Sequence, residues 1–296
     1  MSAEELANLR ALLTASPPPE NPTVADMRER FEKLAEFLPC PPGTEIETRP
    51  VGGVPTEIIS APDLSGERWI LYLHGGGYVI GSPNTHRTLA ANLSAAAQAR
   101  VAVIDYRLAP EHPFPAAVED AVAAWAGLLA DEGAVPEHAA IVGDSAGGGL
   151  TVACLLKLKQ DGAALPACGV CISPWVDMEG LGDSMTSKAD VDPMVRKEGL
   201  LAFAGLYLAD TDPREPLAAP LYGDLAGLPP LLIQVGTAET LMDDSLRLAE
   251  RARAAGVETE LEVADDMLHV WHLFAPMLSE GREAIARAGS YIQART

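Results

Sequence analysis

The sequence of 296 residues predicts an α/β fold, with helices on both faces of a mostly parallel, doubly wound β-sheet. Three observations support this prediction. Apolar runs of strand length alternate with helical segments along most of the chain. Two of these runs lead directly into glycine-rich turns, at residues 74–78 and 143–149. Apolar residues make up 48% of the chain, which is enough for one large core.

The first 40 residues precede the sheet, and we expect them to form N-terminal cap helices, with the main domain at residues 41–296. Residues 4–14 are one candidate helix, which the Pro17-Pro18-Pro19 run would end. Residues 24–38 are a second candidate, because Met27, Phe31, Leu34 and Leu38 recur at helical spacing. The pattern leaves open whether these helices form a lid or only pack on the surface.

The elements of the main domain follow from the apolar runs and the turns between them. Two strand-like runs around Gly52 and Gly53 are typical of an antiparallel hairpin at a sheet edge. After this hairpin, strands and helices alternate, as parallel βαβ units require. The predicted strands are residues 44–51, 56–60, 68–73, 101–106, 139–142, 167–173, 230–235 and 257–263. The predicted helices are residues 85–98, 115–129, 150–160, 239–255 and 281–295.

Residues 180–220 interrupt this alternation and are the candidate for a second cap segment. They contain charged turns, an amphipathic run at residues 198–208, and a stretch rich in aspartate and proline. Because the segment lies between two core strands, we expect it to project over the strand ends.

Charge and cysteine content exclude several classes of partner. The formal net charge of −21 argues against binding to nucleic acid or to anionic membranes. The chain opens with acidic residues rather than a basic secretion signal, and no apolar run has transmembrane length. The cysteines lie mostly in apolar surroundings, so we expect free thiols, a cytoplasmic location and no metal or redox role for Cys168-x-x-Cys171. The four cysteines are Cys40, Cys154, Cys168 and Cys171.

The most informative stretch is Gly-Asp-Ser-Ala-Gly at residues 143–147. It follows an apolar strand and precedes a helical run, which is the setting of a nucleophilic serine on a sharp turn. Such a turn needs neighbours with almost no side chain. The same letters also fit an ordinary glycine turn, so the rest of the chain decides. Ser145 is the candidate nucleophile.

A second glycine-rich turn, at residues 74–77, supplies candidate oxyanion donors. Three glycines directly after a buried strand are costly in chain entropy, unless their backbone N–H groups must face a ligand. We assign the N–H groups of Gly76, Gly77 and Ala146 to an oxyanion hole. His74 is expected to support the loop rather than to transfer protons.

A serine nucleophile needs a histidine base and a carboxylate behind it, in the chain order serine, acid, histidine. Only His269 and His272 follow the serine. We favour His269, which comes first after the last strand, and expect His272 to be a lid or surface residue. Glu239 follows the preceding strand and is the favoured acid. Asp243 and Asp244 remain alternatives, although both are predicted to lie inside the next helix.

These motifs together resemble the bacterial hormone-sensitive-lipase-like carboxylesterases of the α/β-hydrolase fold, from about residue 40 to the end. Three positions depart from the family's usual pattern. Glu239 stands for aspartate, Thr240 for proline, and Asp266 for the glycine before Met-x-His. The matching stretches are residues 74–78 (HGGGY), 105–117 (DYRLAPEHPFPAA), 143–148 (GDSAGG), 173–177 (SPWVD) and the region of His269.

The resemblance implies a serine esterase that forms an acyl-enzyme from a small ester with a short to medium acyl chain. It also implies an N-terminal and a second cap segment, no cofactor and no metal, and often a homodimer through the last strand and the C-terminal helix. A lactone, an amide or a carbamate would suit the same groups, so these substrates stay open. A protein of this fold that binds a small ligand without turnover is the alternative from another class, and a protease is weaker still.

Overall fold

The computed structural model describes residues 3–15 and 22–296. Its eight strands form one sheet in the order β1-β2-β4-β3-β5-β6-β7-β8. Strands β3 to β8 are parallel to one another, while β2 pairs antiparallel with both β1 and β4, which confirms the predicted edge hairpin. The strands are β1 (Glu45–Val51), β2 (Val54–Ser60), β3 (Arg68–Leu73), β4 (Ala99–Ile104), β5 (Ala139–Asp144), β6 (Cys168–Ile172), β7 (Leu231–Gly236) and β8 (Thr259–Ala264).

Helices cover both faces of this sheet, as predicted. Short 3₁₀ turns at Pro136–His138, Pro220–Tyr222 and Trp271–Phe274 complete the connections. The helices are α1 (Ala3–Thr14), α2 (Val24–Ala35), α3 (Pro83–Ala97), α4 (Ala116–Ala130), α5 (Ala146–Gln160), α6 (Ser184–Ser187), α7 (Lys197–Leu208), α8 (Met242–Ala254) and α9 (Ser279–Gln293). Within the described ranges, none of these helices is long and apolar enough to cross a membrane.

The core consists of two apolar layers, one on each face of the sheet. Alternate residues of β3 point into different layers, because successive side chains of a strand face opposite sides. Leu71 and Leu73 pack with α4, α5 and α8, whereas Ile70 and Tyr72 pack with α3 and α9. This arrangement is the doubly wound architecture that the alternation of strands and helices predicts.

The N-terminal helices add little to these layers, apart from Leu6 and Leu9 of α1, which are buried in the layer that also contains α3 and α9. Thr23 and Asp26 form a reciprocal capping box that starts α2. No residue within α2 is fully buried, and Met27 and Phe31 on its apolar side are half-buried. The predicted break at Pro17-Pro18-Pro19 lies outside the described residues.

The helix after the candidate nucleophile begins earlier than predicted. It starts at Ala146, directly after Ser145, and not at Leu150. The run Gly147–Gly149 weakens a helix by propensity, but here it packs tightly against other backbone. A Cβ on Gly147 would overlap the carbonyl oxygen of Leu73. The close packing of α5 against β3 therefore explains why glycine is kept inside this helix.

The predicted cysteine state is confirmed. All four cysteines are free, and Cys154, Cys168 and Cys171 are buried. Burial raises the pKa of each of these three thiols to about 12, so they remain protonated at neutral pH. Among the described residues, no cluster of three or more histidine, cysteine or acidic side chains could hold a metal ion.

Candidate active site

Ser145 occupies a strained turn between β5 and α5. Its backbone adopts φ 53° and ψ −120°, a conformation that a residue with a side chain rarely takes. Its N–H donates to the carbonyl of Ile172 at 2.8 Å, and its carbonyl accepts from the N–H of Trp175 at 2.9 Å. A Cβ on Gly143 would overlap the carbonyl oxygen of Gly147, so the turn requires glycine there. These contacts hold the serine at the carboxyl end of the sheet.

Among the described residues, no group holds the Ser145 side chain. Within residues 3–15 and 22–296, none of the side-chain hydrogen bonds involves its hydroxyl, and the residue is 9% exposed. A hydroxyl at a strained turn and without a partner is available to a substrate. Hydrogen bonds to catalytic groups often shorten only when substrate is bound.

The loop after β3 presents backbone N–H groups toward the same end of the sheet. Gly76 and Gly77 have φ values of 117° and 63°, which favour glycine. Among the described residues, no acceptor bonds the backbone N–H of Gly76, Gly77 or Ala146. Ala146 is also the first residue of α5, where N–H groups have no acceptor within the helix and the helix dipole favours negative charge. All three N–H groups are thus free to meet an anion.

Asp144 anchors this loop to the turn that carries the serine. One oxygen of its buried carboxylate accepts from the Tyr72 hydroxyl at 2.7 Å and from the Gly75 N–H at 3.1 Å. The other oxygen lies 3.2 Å from Nε2 of His86. Burial alone would raise the pKa of Asp144, but His86 and the Tyr72 hydrogen bond lower it below the ordinary value. The sequence analysis did not predict that Asp144 anchors the loop. The only signal in the sequence was an acidic residue directly before Ser145, at the end of an apolar strand.

His74 is buried beneath the loop. Its Nδ1 lies 2.8 Å from the carbonyl oxygen of Gly75, and its ring stacks on Tyr106 with centroids 4.2 Å apart. Burial lowers the pKa of His74 to about 3, so the ring is neutral at neutral pH. These contacts join His74 to the backbone of the loop and to Tyr106.

Glu239 and His269 meet at the ends of β7 and β8. Nδ1 of His269 donates to Oε2 of Glu239 at 2.7 Å, and both side chains are almost fully buried. The other carboxylate oxygen, Oε1, accepts from the Ser173 hydroxyl at 2.8 Å and from the Gly236 N–H at 2.6 Å. These two donors, one directly after β6 and one at the last residue of β7, hold the longer glutamate side chain in place.

The charge of Glu239 sets the basicity of His269. Burial alone would lower the pKa of His269, but the hydrogen bond to Glu239 and its charge raise it above the ordinary value. Asp192 and Asp144 add smaller contributions of the same sign. The imidazole is therefore a stronger base than an isolated histidine.

The two alternative acids have other partners. Asp243 accepts from the backbone N–H of Ser184 at 2.8 Å. Asp244 accepts from the N–H groups of Val176 and Asp177 at 2.9 and 3.0 Å. Both lie in the first turn of α8, as predicted, and neither is hydrogen-bonded to His269.

The prediction that His272 lies in a lid or at the surface is wrong. His272 is completely buried, and its Nε2 lies 2.9 Å from the side-chain oxygen of Gln234. The chain after His269 turns inward through the 3₁₀ turn Trp271–Phe274, which packs against α9. Burial lowers the pKa of His272 to about 3, so it is neutral at neutral pH.

Ser173 is a site residue that the sequence analysis quoted only as part of a matching stretch. Its hydroxyl donates to Glu239 and accepts from the backbone N–H of Val270 at 3.2 Å. It therefore joins the loop that carries Glu239 to the loop that carries His269. Its position after an apolar strand was the only signal in the sequence.

Comparison with known proteins gives similarities along the whole chain. Residues 70–273 match the family described as the alpha/beta hydrolase fold. The acetyl-hydrolase of Streptomyces hygroscopicus is 44% identical over 299 residues, which cover 100% of this chain and 98% of that protein. A solved esterase from the bacterial hormone-sensitive lipase (HSL) family is 49% identical, with a TM-score of 0.96 over 100% of this chain and 99% of that one. The esterase EstE5, solved after soaking with p-nitrophenyl butyrate, is 46% identical, with a TM-score of 0.95 over 99% of each chain.

Proposed function

Because the chain belongs to the hormone-sensitive-lipase-like esterases of the α/β-hydrolase fold and is a serine carboxylic ester hydrolase, we propose how its own residues perform that reaction. Ser145 is the nucleophile, His269 the general base and acid, and Glu239 the carboxylate that orients His269. The main support for this assignment is the 2.7 Å contact between Glu239 and His269. It lies at the carboxyl ends of the strands, as does the Ser145 hydroxyl.

Acylation begins with a proton transfer. His269 takes the hydroxyl proton of Ser145 on Nε2 as Oγ bonds to the ester carbonyl carbon. The carbonyl electron pair moves to oxygen, and Glu239 stabilises the imidazolium that forms. When the carbonyl re-forms, the bond to the alcohol oxygen breaks and His269 returns the proton to that oxygen. Water then attacks the acyl-enzyme by the same route and releases the carboxylic acid.

The proposed oxyanion hole consists of the N–H groups of Gly76, Gly77 and Ala146. These donors are fixed before substrate arrives, so they stabilise developing charge without reorganisation. Each is expected to contribute about 3 kcal/mol to the barrier reduction. His74 supports this loop and takes no part in proton transfer, in line with its buried, neutral ring.

Two substitutions test the catalytic assignment with p-nitrophenyl butyrate as substrate. Ser145→Ala is expected to lower kcat by more than about 10⁴-fold in a protein with unchanged circular dichroism. Ser187→Ala, at an exposed position of α6, is the matched control.

Glu239→Gln is expected to lower kcat by about 10³-fold. Asp243→Asn should lose much less, and a larger loss there would show that the acid is Asp243.

For the substrate, we propose esters with short to medium acyl chains. One relative is named an acetyl-hydrolase, and one similar structure was soaked with p-nitrophenyl butyrate. In a series of p-nitrophenyl esters from acetate to palmitate, kcat/KM should be highest for acyl chains of about eight carbons or fewer. Lactone, amide and carbamate substrates in the same screen distinguish the alternatives.

We propose that residues 1–40 and about 180–220 act as two cap segments on a catalytic domain of residues 41–296. Arg10 of α1 donates to the carbonyl of Val191 in the second segment at 3.0 Å. Arg28 of α2 donates to the carbonyl of Val79, just after the glycine loop, at 2.9 Å. The two segments therefore contact each other, and α2 also contacts the chain directly after the glycine loop.

We further propose a cytoplasmic location and a homodimer formed through β8 and the C-terminal helix. Four free cysteines are typical of a reducing compartment. Strand β8 is an outer strand of the sheet and carries Val263, which is 43% exposed. The small-molecule ester is the only ligand that this proposal requires, and the net charge of −21 disfavours nucleic acid.

A further inference from the structure

A buried carboxylate of the second cap segment lies beside the loop that carries Glu239. Asp192, in the turn between α6 and α7, is 1% exposed. Its Oδ1 accepts from the backbone N–H groups of Met194 and Val195, each at 2.9 Å. Its Oδ2 accepts from the N–H of Thr240 at 2.8 Å and from the Thr240 hydroxyl at 3.2 Å. In all four of these bonds Asp192 is the acceptor.

Thr240 follows Glu239 directly and is itself fully buried. Besides its two bonds to Asp192, its carbonyl accepts from the Ser184 hydroxyl at 2.6 Å. The N–H, hydroxyl and carbonyl of Thr240 are therefore all bonded to the second cap segment. Proline, which is usual here in the family, has neither an N–H nor a hydroxyl and could not donate to Asp192.

The turn that carries Asp192 is also joined to the loop of His269. Arg10 donates to the carbonyl of Val191 at 3.0 Å and to the carbonyl of Asp266 at 3.3 Å. Val191 is the neighbour of Asp192, and Asp266 lies three residues before His269. One turn of the second cap segment thus connects to both loops that form the acid–base pair.

We propose that Asp192 is a positioning residue for ester hydrolysis, which holds Thr240 and thereby keeps the carboxylate of Glu239 aligned with His269. This inference rests on the proposed triad and adds to it a contribution from the cap. The competing explanation is that Asp192 only fastens the cap to the domain. In that case its loss would affect stability but not the acid–base pair.

The bonding pattern of Asp192 makes asparagine an informative substitution. Because all four partners are donors, the amide NH₂ of asparagine must face either Thr240 or the Met194–Val195 turn, where no acceptor replaces the lost oxygen. The side-chain volume stays nearly the same, so no cavity is created. Asp192→Asn therefore changes bonding and charge with little change in packing.

The charge of Asp192 also bears on the protonation of His269. The charged or titratable groups around His269 are Glu239 after β7, Asp192 from the cap, Asp144 at the end of β5, and His272 one turn later. The three acids favour the protonated imidazole, and neutral His272 does not oppose it. Removing the charge at residue 192, or misaligning Glu239, would lower the pKa of His269. Since the reaction needs neutral His269, the acidic limb of kcat/KM would then move to lower pH.

The test compares Asp192→Asn with Asp212→Asn, a control at an exposed aspartate of the same segment that also caps a turn. With p-nitrophenyl butyrate, Asp192→Asn is expected to lower kcat by about 10- to 100-fold while KM changes by less than about twofold. The acidic limb of the kcat/KM profile of this variant should move to lower pH by about half a pH unit. The control should retain the wild-type values.

A second variant makes the test independent of cap stability. Thr240→Val keeps the N–H bond to Asp192 but removes the hydroxyl, and we expect a smaller loss of kcat, about threefold. A double substitution whose effects do not multiply would support action of Asp192 through Thr240.

The proposal would be overturned if Asp192→Asn lowered the melting temperature but left kcat and the acidic limb of the pH profile unchanged. That result is expected if Asp192 only attaches the cap to the domain. Full activity in Glu239→Gln would instead overturn the triad and the role of Asp192 with it. A loss in Glu239→Gln combined with wild-type kinetics in both Asp192→Asn and Thr240→Val would leave the triad intact and refute only the positioning role.

Discussion

At the residue scale, Ser173 lies where the proposed acid and base meet. Its hydroxyl donates to Oε1 of Glu239 and accepts from the N–H of Val270, the residue after His269. The Ser173 backbone has φ 45°, so it also forms a tight turn after β6. One small side chain therefore satisfies a buried carboxylate and a buried N–H at the same time.

Ser173→Ala should reduce catalysis without changing the backbone strain, because alanine also carries a Cβ. Glu239 loses a donor and Val270 is left with an unbonded N–H, a loss of about 1–3 kcal/mol. We expect kcat for p-nitrophenyl butyrate to fall about tenfold, with KM nearly unchanged. The control is Ser290→Ala, which removes an exposed hydroxyl bonded only within α9. Wild-type kcat in Ser173→Ala would contradict this role.

Asp244 is a buried acid with an incomplete set of partners, and it should make stability depend on pH. Burial raises the pKa of Asp244 to about 7, although the N–H groups of Val176 and Asp177 oppose this. The folded state then keeps a proton that the unfolded state releases above its ordinary pKa of 3.8. The contribution of Asp244 to folding stability is therefore fully present below the unfolded-state pKa of 3.8, and it is lost as the pH rises from there to about 7.

Asp244→Asn should remove this dependence, because an amide resembles the protonated acid and does not titrate. We expect the stability advantage of the variant over the wild type to grow by on the order of 2 kcal/mol between pH 5 and pH 8. Thermal or urea unfolding at the two pH values measures the difference. An equal gain at both pH values would show that Asp244 is already ionised at pH 5.

At the element scale, the packing of α5 against β3 depends on glycine. A Cβ on Gly147 would overlap the carbonyl oxygens of Leu73 and His74, which are backbone atoms and cannot move aside. Gly205 in α7 is also helical but exposed, and among the described residues a Cβ there would meet no atom within 4 Å apart from the neighbouring backbone of α7. Packing therefore requires glycine at position 147 but not at position 205.

The same change at these two positions should have opposite effects. Gly147→Ala should destabilise the protein by more than about 2 kcal/mol and distort the turn of Ser145, so activity falls as well. Gly205→Ala should stabilise α7 by about 0.5–1 kcal/mol, because alanine loses less backbone entropy in a helix. Urea unfolding of both variants is the measurement. Similar stability changes of the same sign would contradict the packing argument.

Sequence periodicity predicted β3 and the neighbouring elements well, because their residues alternate between two apolar layers. It misplaced the start of α5, since local propensity cannot register that β3 covers Gly147. It also put His272 at the surface, because the inward turn depends on packing against α9. The contact between Glu239 and His269 was predictable from their order after the last strands. Ser173 and Asp192 were not, because their partners lie 66 and 48 residues away in the chain.

At the scale of the whole molecule, arginines join the N-terminal helices to both halves of the site. Arg28 pairs with Glu111 at 2.7 Å and also bonds the carbonyls of Val79 and Ala109 beyond the glycine loop. Arg10 bonds the second cap segment and the loop of His269. The proposed caps are therefore bonded close to the proposed oxyanion loop at one end and close to the Glu239–His269 pair at the other. Substrate size and the alignment of the catalytic groups are expected to change together when these ties are altered.

The whole molecule also has an unpaired sheet edge, at β8, which we propose as the dimer contact. Two arginines partly offset three acidic side chains near this edge: Arg295 pairs with Glu258 and Glu260 at 2.6 and 2.9 Å, and Arg287 pairs with Glu262 at 3.0 Å. These pairs reduce the repulsion between two copies of β8 that approach each other. The total charge of −21 still opposes association, so added salt should strengthen the dimer.

Val263→Lys should convert the dimer to a monomer, because it places a charge on the strand that would pair with its own copy. Sedimentation velocity at several protein concentrations would show the change, with wild type at twice the chain mass and the variant at the chain mass. Val135→Lys is the matched control, since Val135 is 42% exposed but lies in the loop before β5, away from this edge. Both variants should keep wild-type kcat, because the proposed triad lies within one chain. A wild type that sediments as a monomer, or a Val263→Lys variant that remains dimeric, would rule out pairing through β8.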